Sequence, residues 1–441
     1  MNRSLPLPSL PSAKDTTVAH LPNGITVLAR ANSHSPSVAI SGYLSVGALY
    51  DLDEKLGLSD FTSLGLMRGT SQRDFQQIFE ALESVGASFG FNGGTHTTGF
   101  GGKALAEDLD LLFSILSESL RSPSFPPEQV ERLRAQILTH LAIRTQDTTD
   151  MASLTFDQIV YADHPYSRPE EGYPETVLEI SRADLLDFHQ KYYGPRGMVL
   201  AVVGAVDPQA VVDQVARHMG SWQNPDQPPE PLLPAPAPLT ERITRRVDIP
   251  GKSQSDVILG SAGPQRNDPD FIAAALGNSI LGQFGMYGRI GDVVREQHGL
   301  AYYAYSSLSG GIGPGPWYIN AGAAPGAIDQ VVELICQEIL RFTSEPVSKE
   351  ELEDNQANFI GRLPLSMESN GGVAAALINL VRYGLELDYY LKYPDLVRAV
   401  TQEDVLRSAR RFLDLDRLGI AIAGPNHNQH EPSQHNLAES I

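Results

Sequence analysis

Two apolar runs of equal length, Met198-Val199-Leu200-Ala201-Val202-Val203-Gly204 and Leu418-Gly419-Ile420-Ala421-Ile422-Ala423-Gly424, stand 220 positions apart. The helix-start signals before them keep the same step, since Ser181-Arg182-Ala183-Asp184 returns as Thr401-Gln402-Glu403-Asp404. Earlier, Leu105, Leu109, Leu112, Leu116 and Leu120 recur at the spacing of an amphipathic helix, and Ile328, Val331, Ile335 and Ile339 repeat it. A helix expected over 127–143, with Pro127 at its first position, has a counterpart opened by the capping box Ser348-Lys349-Glu350-Glu351. Matches at one offset across several elements indicate duplication, so the chain folds as one unit written twice.

Each copy mixes strands with long helices. This predicts an α+β fold of two homologous halves, each a sheet with helices packed on it. Between them, residues 222–240 hold seven prolines and read as a semi-extended linker. The resulting plan is a disordered tail over 1–15, a first domain over 16–221, the linker, a second domain over 241–425, and a disordered polar tail over 426–441. In the first half, Asn23-Gly24 marks a hairpin between strands at 16–21 and 25–29. A strand over 38–46, helices over 57–70 and 75–85, and Gly/Thr-rich extended chain over 88–101 follow.

The 33 Lys+Arg against 53 Asp+Glu give a net charge of −20, which repels phosphate backbones and anionic lipid and argues against nucleic acid or membrane as partner. Cys336 is the single cysteine, so an intrachain disulfide and a cysteine-based zinc site are excluded, and its apolar neighbours read as core. Residues 1–14 lack the apolar stretch of a secretory signal, and nowhere does the chain approach the roughly 18 unbroken apolar residues of a membrane span. A soluble cytoplasmic protein is expected.

Three motifs carry a resemblance. They are the frame Gly57-Leu58 to Arg68-Gly69-Thr70, the run Pro195 to Pro208, and Arg295-Glu296-Gln297-His298-Gly299-Leu300-Ala301-Tyr302. In that order on a duplicated chain, they resemble the pitrilysin/insulinase metallopeptidases, the H-x-x-E-H class. The resemblance extends from about Thr16 to Pro425. In active members the first helix presents two zinc-binding histidines and a glutamate that activates the bound water. The positions matching that motif here are Asp60, Ser63 and Leu64. The third ligand of the family, a glutamate on a later helix, falls where Thr139 and His140 stand. The resemblance therefore implies no cofactor in this chain.

The family also reaches toward the zinc site with an Arg and a Tyr seven residues apart in its second half, and Arg295 and Tyr302 match that spacing. The local signals agree: residues 293–298 read as the last turns of a helix, Gly299 as its left-handed terminator, and 301–308 as a strand. A repeat offset of 213 places Leu82 and Phe89 at the corresponding positions of the first half, so the polar pair belongs to the second half alone. The resemblance further places Thr95, His96 and Thr97 on the family's substrate-side edge strand, where an extended peptide adds by strand pairing.

What this implies is the non-catalytic subunit of a heterodimeric zinc peptidase. A homologous partner bearing H-x-x-E-H holds the zinc, the two chains close a clamshell around unfolded peptides, and Arg295 and Tyr302 act in trans. The alternative is a purely structural or peptide-binding paralogue. A third reading, a self-sufficient enzyme rebuilt around Asp60 and His140, requires metal in the isolated chain. The glycine-rich stretches 282–288 and 309–316 lack phosphate-loop signatures and read as loops lining a chamber. His427, His430 and His435 lie in the polar tail.

Overall fold

A computed structural model describes residues 10–426. The first half runs through β1 (Thr17–His20), β2 (Thr26–Ala31), β3 (Ser37–Leu44), α1 (Leu58–Gly65), α2 (Phe75–Glu83), β4 (Ser88–Asn92) and β5 (Thr98–Leu105). It continues with α3 (Leu109–Arg121), α4 (Pro127–Arg144), α5 (Thr148–Val160), α6 (Pro174–Glu179), α7 (Arg182–Tyr192), β6 (Val199–Gly204) and α8 (Pro208–Met219). The second half comprises β7 (Ile243–Asp248), β8 (Ser255–Ala262), α9 (Phe271–Gly282), α10 (Phe284–Gly291), β9 (Ala301–Gly310) and β10 (Pro314–Ala323). It closes with α11 (Ile328–Ser344), α12 (Lys349–Ser366), α13 (Asn370–Arg382), α14 (Tyr389–Arg398), α15 (Gln402–Phe412) and β11 (Gly419–Gly424).

The strands form a six-stranded sheet, ordered β1-β2-β6-β3-β5-β4, and a five-stranded sheet, ordered β7-β11-β8-β10-β9. Apart from β1, the two orders coincide once each strand is replaced by its copy, so the sequence repeat is also a repeat of topology. β6 and β11 occupy the same place. Each pairs parallel with one neighbour and antiparallel with the other, and each is buried along its whole length. Successive strand side chains point to opposite faces, so a strand covered on both faces must be apolar throughout. In β6, Leu200 and Val202 enter one core while Val199, Ala201 and Val203 enter another.

The covering layers are exchanged. One face of the first sheet packs on helices of its own half, but the other is covered by α13 from the second half, through Ala374, Leu377 and Ile378. Reciprocally, Phe156, Ile159 and Val160 of α5 cover Ile258, Ala421 and Ala423 of the second sheet. Burying the Leu, Ile, Val and Phe side chains among these contributes roughly 1.5–3 kcal/mol each. The predicted helix starts are present: Ser181, Ser348 and Thr401 each close a capping box at the head of α7, α12 and α15.

Three expectations are corrected. Residues 10–15, assigned to a disordered tail, are docked: Leu10 is 2% exposed in the α13 core, and Asp15 pairs with Arg30 at 2.6 Å. The chain over 88–101 is two strands with a loop between them, and Leu105 ends β5 instead of opening α3, which starts at Leu109. The glycine-rich stretch after Gly282 is largely helical, as α10. Residues 1–9 and the tail from 427, with its three histidines, lie outside the described residues. Among the described residues no helix is long and apolar enough to cross a membrane.

Candidate functional site

α1 keeps the frame read from the sequence. Gly57 takes a positive φ of 94°, and a Cβ there would stand 2.7 Å from the Glu171 carbonyl oxygen, so the helix entry requires glycine. The buried Asp51 carboxylate accepts the N–H groups of Gly57 (3.0 Å) and Ser59 (2.9 Å), satisfying amides that α1 leaves unpaired. Phe61 is buried beneath the Arg134 guanidinium, 5.3 Å from the ring centroid.

The motif positions have turned to other uses. Ser63 Oγ donates to the Asp60 carbonyl at 2.8 Å, and Leu64 packs against the first core. Asp60 lies against Gly93 in the β4–β5 loop, where a Cβ would approach Oδ1 to 2.6 Å. Burial first, then the charges of Glu171 and Glu170, push its carboxyl up to about 7, against the pull of His140 and the Gly93 N–H. On α4, His140 Nε2 stands 3.3 Å from Glu171 Oε1, and Arg144 holds the other Glu171 oxygen at 2.9 Å and the Gly172 carbonyl at 2.7 Å. Thr95 Oγ1 donates to Glu170. Asp60 and His140 are thus neighbours of one acidic loop, but Glu171 and Arg144 engage the histidine's surroundings in ion pairs.

This donor set does not fit a family-type zinc ion. Leu64 offers no lone pair, the Ser63 hydroxyl is spent on its own helix, and His140 faces an Arg-paired carboxylate. Among the described residues no group of three or more His, Cys, Asp or Glu side chains is arranged to hold a metal ion.

Thr95, His96 and Thr97 lie in the β4–β5 loop, not on an edge strand. The carbonyls of Gly94 and Thr95 already accept the N–H groups of Ala48 and Leu49, so this backbone is engaged within the chain; the edge of the sheet is β4. His96 Nε2 meets Tyr166 Oη at 2.6 Å, and the same phenol oxygen accepts the Gly313 N–H at 3.1 Å. The loop thereby touches the β9–β10 hairpin of the second half. It lines a cleft of about 440 Å³ together with Arg382 and Tyr383 from the end of α13. A second cleft, of about 480 Å³, is lined by Tyr166 together with His140, Asp150, Asp157, Glu170 and Glu171.

Arg295 lies in a π-helical turn over Asp292–Gln297 that continues α10, with Nε 3.7 Å from Glu296 Oε1. Gly299 takes φ 63°, and β9 follows. Tyr302 is 63% exposed, whereas its first-half counterpart Phe89 and the Arg295 counterpart Leu82 are buried core. Arg289, six residues earlier on α10, forks onto Glu351 of α12 at 2.6 and 2.7 Å and anchors α10 there.

Residues 26–171 match the insulinase family, peptidase family M16, and residues 179–359 match the peptidase M16 inactive domain. The chain belongs to the M16 peptidase family. Among curated relatives, this M16 chain is 27% identical to an uncharacterized zinc protease of Streptomyces coelicolor, over 92% of this chain and 88% of the relative. It is 26% identical to one from Rickettsia felis, over 93% and 97%. Among solved structures, a peptidase M16 inactive domain from Pseudomonas fluorescens superposes with a TM-score of 0.87 at 24% identity, covering 93% of this chain and 98% of that one. A Helicobacter pylori protease superposes at 0.88 and 19% identity, covering 94% and 100%. These likenesses establish a two-domain M16 fold.

Glu170, Glu171, Arg144 and Arg382 escaped the sequence reading. The first two form a visible acidic pair before Gly172, but nothing in their spacing ties them to Asp60.

Proposed function

We propose that this chain is the non-catalytic subunit of a heterodimeric zinc peptidase, working in the cytoplasm on unfolded peptides beside a partner that carries H-x-x-E-H and the zinc. The observation that carries this reading is a contrast. The motif positions Asp60, Ser63 and Leu64 have been absorbed into packing and local hydrogen bonds, while Tyr302 is exposed where its first-half copy is core. A surface phenol gains nothing from packing, and a guanidinium seven residues before it supplies the donors that a developing oxyanion needs. Relatives named zinc proteases support a proteolytic context.

In this reading the chain closes a clamshell chamber, and Arg295 and Tyr302 bind the substrate backbone and stabilise the transition state at the partner's site. The test is reconstitution with an H-x-x-E-H partner, followed by a peptide-cleavage assay and elemental analysis of each chain. Activity in the mixture, with zinc confined to the partner, is the expected result. Stoichiometric zinc and peptide cleavage in this chain alone would overturn the proposal.

A further inference from the structure

The cleft at the end of α13 holds a cation with little bound to it. Arg382 occupies the last helical turn, where a positive charge complements the helix dipole. Its head, however, stacks 4.6 Å from the Tyr43 ring centroid, and its hydrogen bond is a long one of 3.5 Å from Nη2 to Thr97 Oγ1. Its Nε–H is buried without an acceptor. A guanidinium presents five donors in a planar fork, and buried donors in folded proteins are nearly always met. Although the chain carries 53 Asp+Glu against 33 Lys+Arg, no carboxylate among the described residues is within ion-pair distance of this guanidinium.

The cleft wall sharpens the point. Among the described residues lining it there is no Asp and no Glu. Burial lowers the pKa of His96, so its imidazole is neutral at pH 7 and Arg382 is the charge of the site. Glu230 of the linker, whose field is felt at Tyr43 and His96, is exposed to solvent outside the lining. The remaining wall offers the amides of Asn92 and Asn379, the Tyr383 phenol, and the apolar side chains of Ile312 and Ile378.

We infer that this cleft binds the C-terminal carboxylate of a peptide, with Arg382 as its charge partner. One guanidinium among neutral donors suits a monoanion whose two oxygens match the fork. A phosphate dianion would call for further cations. At about 440 Å³ the cleft is in the size range of small-ligand sites and exceeds what an isolated small anion fills. The amides can pair with the last peptide groups, and Ile312 and Ile378 can take an apolar terminal side chain. That the ligand is a peptide rests on the proposed function; that it carries a carboxylate rests on the cleft alone.

The experiment uses the full chain without a partner. A fluorescent peptide with an apolar C-terminal residue is titrated as its free acid and as its C-terminal amide, with N-acetyl-leucine and inorganic phosphate as competitors. The free acid is expected to bind about 10- to 100-fold more tightly than the amide, the span of a charge-assisted hydrogen bond. Arg382→Gln is expected to erase the preference, Arg382→Lys to retain part of it, and N-acetyl-leucine to compete better than phosphate. Equal binding of acid and amide, binding of neither, or stronger competition by phosphate would each overturn the inference. The acid-to-amide comparison needs no variant, so a folding defect cannot mask it. Because no partner is present, failure here leaves the role of Arg295 standing, and failure of that role leaves this result standing.

Discussion

The side-chain amide of Asn370, the first residue of α13, donates to the main-chain carbonyl of Ser37, the first residue of β3, at 3.0 Å. The Asn32 side-chain amide, in the connection before β3, donates to Asn370 Oδ1 at 2.7 Å. The copy of this latch is Thr148, the first residue of α5, which donates to the buried Asp256 of β8. Each half therefore pins the helix it borrows at that helix's first residue, and neither sheet is covered on both faces without the other half.

Exchange of this kind makes the two halves one cooperative unit. Phe156→Ala, in the α5 core, should cost about 3–5 kcal/mol. The chain has two tryptophans, Trp222 in the first core and Trp317 in the second. In each single-tryptophan variant, tryptophan fluorescence and the far-UV circular dichroism of the whole chain should share one denaturant midpoint, and Phe156→Ala should lower that midpoint in both variants. Separate midpoints would show that the halves unfold independently.

Asp60 gives a pH dependence with a definite sign. Its folded carboxyl is held up to about 7 by burial and by Glu171 and Glu170, above the ordinary aspartate value. The folded state therefore binds this proton more tightly than the unfolded chain, so stability falls as pH rises from about 4 to about 7. Asp60→Asn should flatten that slope and exceed the wild type in stability at pH 8, as measured by urea unfolding across pH. A steeper slope in the variant would contradict the assignment.

Glu351 acts in the opposite sense. Burial raises its carboxyl, but the hydrogen bonds and charge of Arg289, with those of Ser348, outweigh it and hold the group at about 2. The contribution of the pair is full above the ordinary glutamate value and is lost as pH falls toward 2. Glu351→Gln should cost about 2 kcal/mol at pH 7 and progressively less below pH 4. Thermal unfolding of both forms at pH 7 and pH 3 measures this.

Much of the fold was legible because it rests on local signals. The buried runs of β6 and β11, the capping boxes at Ser181, Ser348 and Thr401, and the helix, Gly299 and strand around Arg295 follow from short-range rules. The exchanged helices α5 and α13 were not legible. Asn370-Gly371-Gly372 is a poor helix opening by propensity, and the apolar face of α13 is matched to a sheet more than 150 residues away in the chain. The site behaves likewise. Asp60, Ser63 and Leu64 fall on α1 as expected, but the residues that redefine their surroundings, Glu170 and Glu171, come from a loop 110 positions further on. The resemblance places Thr95 to Thr97 on an edge strand, whereas the backbone turns there to meet Ala48 and Leu49.

The most direct test of the account is the steady-state kinetics of Arg295→Ala in the reconstituted pair. Loss of an oxyanion donor should lower kcat about 10²- to 10³-fold with KM and subunit assembly little changed. Unchanged turnover by the assembled variant would contradict the role assigned to this chain.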